Sequence, residues 1–156
     1  MKGNAKLINA LNGLLADELT AINQYTAHTQ MAGNWGYAGF KKYIEERLAD
    51  ETKHRDLIAG RILFLEGTPI VDVLNKITIG SDVPQGLSND LDSELLAVQH
   101  YNEAIALAAG VGDDATRRVL EENLKDEDDH INDIESRLTQ IGHIGTGIWL
   151  STQIED

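Results

Sequence analysis

Apolar residues recur at three- and four-residue intervals over most of the chain. Leu7, Leu11, Leu14, Leu15, Ile22 and Tyr25 form one such stripe, which predicts an amphipathic helix A from about Asn4 to Gly33. The segment GNWGYAG, Gly33 to Gly39, breaks it. A second stripe, with Ile44, Leu48, Ile58, Ile62 and Leu65, predicts helix B from about Phe40 to Glu66, stopped by Gly67 and Pro69. Helix C starts near Pro84, with Asp82 as N-cap and Gln85 three residues later in a capping-box pattern. It ends at GVGDD, where Asp113 or Asp114 caps helix D, and helix D runs to Gly142. A short terminal helix follows, about Thr146 to Ile154.

The connections set the topology. A–B and C–D are joined by short turns, so each pair is an antiparallel hairpin. The B–C linker, Gly67 to Asp82, has 16 residues and reaches roughly 50 Å when extended. A helix of about 27 residues is only roughly 40 Å long. The linker can therefore run the length of the bundle and leave B and C parallel. The expectation is an all-α, four-helix bundle with one long B–C crossover and a short C-terminal fifth helix, forming a single domain over 1–156.

Composition narrows the chemistry. There are no cysteines, so disulfides, thiolate metal sites and cysteine nucleophiles are excluded. A net charge of -13 argues against nucleic acid or an anionic membrane as partner and favours cations. No apolar run approaches the ~20 residues that cross a bilayer, and the start MKGNAKLINALNGLLADE lacks a signal peptide's apolar segment. These features predict a soluble, cytoplasmic protein.

The stripes have polar interruptions. In LADETKH, Leu48 to His54, Glu51 falls where an apolar residue is expected and His54 lies one turn further on. KDEDDH repeats that Glu-x-x-His spacing with Glu127 and His130 on helix D. Glu18 interrupts helix A, and Glu94 interrupts helix C. Glu18 to Glu51 spans 51 − 18 = 33 residues, and Glu94 to Glu127 spans 127 − 94 = 33. One offset, 94 − 18 = 76, relates Glu18 to Glu94, Tyr25 to Tyr101, Asp50 to Asp126, Glu51 to Glu127 and His54 to His130. The midpoints of both Glu pairs fall inside the A–B and C–D turns, so the two Glu of each hairpin sit at one depth. Pseudo-two-fold packing of the hairpins brings four Glu and two His to one level of the core.

Four buried, unpartnered carboxylates would have to take up protons. Two divalent cations cancel their charge. Imidazole with several carboxylates suits iron or manganese, whereas magnesium and calcium want oxygen alone and structural zinc wants fewer ligands. A single Glu-x-x-His in an acidic helix is most often a solvated face; two in register, with two further core-facing Glu, point to a dinuclear site. The remaining alternative is a duplicated, metal-free hydrogen-bond network.

At these residues the chain resembles the bacterioferritins, within the ferritin-like family of carboxylate-bridged di-iron proteins. The likeness also covers the opening MKG, AINQY at Ala21–Tyr25, NWG at Asn34–Gly36 and RILFLEG at Arg61–Gly67. It implies Glu18 and Glu94 as terminal ligands, Glu51 and Glu127 as bridges, and His54 and His130 as nitrogen ligands. One iron would take Glu18 and His54, the other Glu94 and His130. It further implies a shell of 24 identical subunits that oxidises Fe(II) with O2 or H2O2 and stores the ferric product. The family's heme-ligating methionine follows the helix B Glu. Thr52 stands there, and the only methionines are Met1 and Met31. Thr52 therefore predicts that heme b is absent, weak or differently ligated; where heme is present, a bacterioferritin-associated ferredoxin is the implied partner.

The family's pattern pairs Asp50 with His130 and Asp126 with His54, supporting the metal-bound imidazoles. An inner-surface role for Asp50 in holding passing iron, or a merely solvated face for both Asp, stays open. Tyr25 and Tyr101 follow Glu18 and Glu94 by seven residues. They are expected to be core phenols hydrogen-bonded to ligand carboxylates, with an electron-donor role open. Glu45, Glu46, Glu121 and Glu122 read as solvated faces, and His28, His100 and His143, which lack the register, as surface histidines. The functional expectation is a ferroxidase and iron-storage subunit. A non-storing, rubrerythrin-like di-iron oxidase or peroxidase is the alternative, although a cysteine-free chain cannot carry a rubredoxin module.

Overall fold

The computed structural model describes residues 1–155; Asp156, the last residue of the expected domain, lies outside them. Five helices follow in order: α1 Ala5–Trp35, α2 Ala38–Phe64, α3 Val83–Gly110, α4 Asp114–Ile144 and α5 Thr146–Ser151. Three of the starts, those of α1, α3 and α4, have a side-chain cap. Asn4 Oδ1 accepts the backbone N–H groups of Lys6 and Leu7 at 2.9 and 3.2 Å, Asp82 accepts from Gln85 N–H at 2.8 Å, and Asp113 accepts from Thr116 N–H at 3.0 Å.

Some boundaries differ from expectation. Helix α1 runs on through Asn34 and Trp35, because only Gly36 adopts the left-handed conformation, φ 84°. There the Tyr37 N–H returns to Ala32 O, so the glycine-rich break shrinks to one turn. Helix α4 likewise ignores Gly142 and stops at Gly145, also at φ 84°. Helix α2 ends two residues early, at Phe64, and α5 three residues early, at Ser151.

The linker lies along α1 and runs in the same direction. Asn12 bonds Thr68 O and Ile70 N–H. Thr20 accepts from Asn75 N–H, Gln24 from Thr78 N–H and His28 from Gly80 N–H. The chain thus returns to the end where α2 began, so α2 and α3 point the same way. Glycine at position 80 is required by space: a Cβ there would collide with the backbone of Gly86.

Two apolar clusters fill the bundle. One joins Leu7, Leu11, Leu14 and Leu15 to Ile58, Ile62, Tyr101 and Leu120. The other joins Tyr25, Phe40, Tyr43 and Ile44 to Leu87, Ile134, Ile141 and Trp149. Between them lies a polar layer. The apolar plugs above and below it exclude water and make every charge in it expensive.

Candidate metal centre

Each of the four long helices sends one glutamate into this layer, and α2 and α4 add one histidine each. Glu18, Glu51, His54, Glu94, Glu127 and His130 are all at most 3% exposed. Their ligand atoms form two groups that share Glu51 and Glu127. Glu18, Glu51, His54 and Glu127 make one; Glu51, Glu94, Glu127 and His130 make the other, with all chosen atoms within 4.8 Å of one another in each. The sharing follows from position: Glu51 and Glu127 lie one turn before the histidines on α2 and α4, between the two imidazoles, whose centroids are 6.4 Å apart.

The contacts are close without being hydrogen bonds. His54 Nδ1 lies 2.9 Å from Glu127 Oε1, and His130 Nδ1 lies 3.0 Å from Glu51 Oε1. Yet both Nδ1 atoms, Glu18 Oε2, Glu51 Oε1 and both Glu127 oxygens have no aligned partner. Buried polar atoms are nearly always paired. Lone pairs that converge on a common point rather than on one another fit a cation, and the N and O donors suit iron or manganese.

Outer residues hold these side chains. His54 Nε2 is 3.0 Å from Asp126 Oδ2, and His130 Nε2 is 3.1 Å from Asp50 Oδ2, so each Asp serves the other hairpin. Each imidazole thereby keeps Nδ1 directed inward. Tyr25 OH donates to Glu94 and Tyr101 OH to Glu18. Asn123, unnoticed in the sequence, donates to Tyr101 OH at 3.2 Å. Thr52 is half-buried on α2, and its hydroxyl donates to Leu48 O one turn back, at 2.8 Å.

Burial and mutual repulsion set the electrostatics. Glu51 is pushed well above the ordinary 4.5 by burial and by Glu127, Glu18 and Glu94. Glu127 rises likewise, through burial and Glu94. Burial would also raise Glu94, but its contacts with Glu127 and His130 outweigh it and lower the carboxyl. Burial disfavours charged imidazole at His54 and His130, yet the surrounding carboxylates raise both far above 6.5.

Of the expected surface histidines, one is buried and one is half-buried. His28 is 5% exposed; its Nδ1 lies 3.0 Å from Asp90 and its Nε2 accepts from Gly80 N–H. His100 is part-buried against Asp17, Nδ1 to Oδ2 2.6 Å. Neither pair belongs to the 76-residue repeat, so the register that marked the centre gave no sign of them; the available signal was a histidine and an aspartate on the mutually facing stripes of helices A and C. His143, Glu45, Glu46, Glu121 and Glu122 are exposed, as expected.

The ferritin-like domain model matches residues 8–144. The chain is 38% identical over 145 residues to a bacterioferritin of Rhodobacter capsulatus, covering 93% of this chain and 90% of that one. It is 37% identical to a bacterial ferritin of Paramagnetospirillum magnetotacticum, covering 100% and 96%, and 34% identical to a bacterioferritin of Streptomyces coelicolor, covering 99% and 93%. With the fold, the repeated Glu-x-x-His pairs and these relatives in agreement, the chain belongs to the bacterioferritins of the ferritin-like family.

Proposed function

We propose that this protein stores and detoxifies iron, with Fe(II) as substrate of an intra-subunit ferroxidase centre. The observation that carries the reading is the buried set of four Glu and two His, in which both Nδ1 atoms and oxygens of Glu18, Glu51 and Glu127 lack aligned partners. In this reading Glu18 and His54 hold one iron, Glu94 and His130 the other, and Glu51 and Glu127 bridge them. The bound pair gives up electrons to O2 or H2O2. The chain's own residues position and insulate: Asp126 and Asp50 fix the imidazoles, Tyr101 and Tyr25 fix the terminal carboxylates, and the apolar clusters exclude water.

The storage half of the reading is a cytoplasmic shell of 24 identical subunits. No described helix is long and apolar enough to cross a membrane. A heme between subunits is not part of the proposal, because Thr52 offers a hydroxyl committed to its own helix in place of a thioether.

The test is aerobic Fe(II) oxidation by Glu51→Ala, which removes a bridge to both ions. Loss of an outer partner costs roughly 10–100-fold in metal affinity or activity, and loss of a shared ligand should exceed that. An unchanged rate in an intact, correctly sized assembly would sink the proposal.

A further inference from the structure

The two halves of the centre obey the 76-residue repeat in their ligands but not in what stands behind them. Asn123 and Arg47 occupy equivalent positions, since 123 − 76 = 47. Asn123 is buried and donates to Tyr101 OH, which donates to Glu18. Arg47 makes no described contact with the corresponding Tyr25. Its Nη1 bonds Asp133 at 2.8 Å and its Nη2 lies 3.6 Å from Asp50 Oδ2.

We propose that the two metal positions are inequivalent, that the Glu18/His54 position fills first, and that Asn123 and Arg47 are the positioning residues that set this order. The inference rests on the reading of the centre as a dinuclear metal site.

Two independent contacts point the same way. The first concerns the terminal carboxylates. Glu18 is held by a phenol that is itself held, in the chain Asn123–Tyr101–Glu18. Glu94 is held by Tyr25, whose oxygen has no described donor. A carboxylate already ordered loses less freedom when a cation binds. The second concerns the imidazoles. Asp50, behind His130, shares its charge with the part-buried Arg47 guanidinium. Among the described lysines and arginines, Asp126, behind His54, pairs with Lys53, at 3.9 Å and with its side chain 65% exposed, a contact weakened by solvent. Asp126 is therefore the stronger acceptor, and a stronger acceptor makes its histidine the more basic ligand.

Other groups do not discriminate. Glu51 and Glu127 serve both positions. Each end of the layer also has one aspartate–histidine pair on the α1–α3 side, Asp17–His100 near Glu18 and Asp90–His28 near Glu94.

The experiment is an anaerobic titration of the metal-free assembly with Co(II), followed by calorimetry and visible absorption. The native chain should bind in two steps, the second at least about tenfold weaker, which is ~1.4 kcal/mol. Asn123→Leu should weaken the first step about tenfold and leave the second nearly unchanged, drawing the two together. Arg47→Asn, which frees Asp50 and places an amide on the Tyr25 side, should instead strengthen the second step. Crystals grown with one Co(II) per subunit should show anomalous density between Glu18 and His54. Two equal steps in the native chain, or first density between Glu94 and His130, would overturn the inference while leaving the dinuclear reading intact. No Co(II) binding at all would overturn both.

Discussion

Loading the centre with metal should expel about four protons per subunit, by charge balance in a water-excluding layer. Four carboxylates, two neutral imidazoles and two divalent cations sum to +4 − 4 = 0. Without cations, the same balance needs four protons: two that convert the imidazoles to imidazolium and two on carboxyls, giving +2 − 2 = 0. The groups whose hold on protons is raised are His54, His130, Glu51 and Glu127. Each proton released contributes about 1.4 kcal/mol per pH unit to the binding free energy. Four make ~5.5 kcal/mol, or roughly 10⁴-fold in the product of the two binding constants per pH unit.

Anaerobic titration with Co(II) in two buffers of different ionisation enthalpy counts the protons directly. The fold should respond in the opposite sense. The unfolded chain binds these protons with ordinary values near 4.5 and 6.5, whereas the folded, metal-free chain holds them more tightly. Their contribution to stability is thus full at acid pH and is lost as pH rises through the raised values. Metal-free protein should become less stable on the alkaline side, and loaded protein should not. Release of one proton or none would refute the charge-balance reasoning, because the carboxylates would then have been ionised beside neutral imidazoles before the metal arrived.

Two predictions concern the frame around the centre. The Asp113 carboxyl, despite partial burial, is held below 3.8 by the Thr116 hydroxyl and N–H and by Arg61. Asp113→Ala should therefore cost about 1 kcal/mol at neutral pH, and urea midpoints of variant and native chains should converge as pH falls through the lowered value, where the native contribution is lost. His28→Leu removes the acceptor for Gly80 N–H and strands Asp90. It should cost about 3 kcal/mol and speed amide hydrogen exchange at Gly80 ahead of the bundle, while unaltered exchange there would show that the linker is held elsewhere.

The sequence was most legible where periodicity carried the information. Glu51 and Glu127 betrayed themselves because a charged residue on an apolar stripe is costly unless something cancels it, and the shared offset said which residues meet. The topology followed from the linker's length alone. Helix ends were less legible, since Gly33 and Gly142 look like breaks but need no left-handed backbone, while Gly36 and Gly145 do. His28 and Asn123 were hidden for a different reason. Each is defined by partners on another helix or on the linker, Gly80 and Asp90 for one and Tyr101 for the other. No spacing within one stripe can announce such a partner.

Where the repeat fails, the linker explains part of the failure. Asp90 and His28 have the counterparts Leu14 (90 − 76) and Ala104 (28 + 76), and both counterparts lie in an apolar cluster. The difference arises because the single crossover donates to α1, at Asn12, Thr20, Gln24 and His28, and no second crossover serves the equivalent positions of α3. Thr78 N–H and Gly80 N–H need buried acceptors, which Gln24 and His28 supply. Asp90 in turn accepts from Gln24 Nε2 and holds His28 Nδ1, leaving Nε2 free for Gly80. A two-fold repeat closed by one covalent linker cannot stay symmetric on the face the linker covers, because only one half has backbone to satisfy. The six inward-facing Glu and His side chains of the candidate centre escape this constraint: they project between the apolar clusters, away from the linker, and there the repeat is kept.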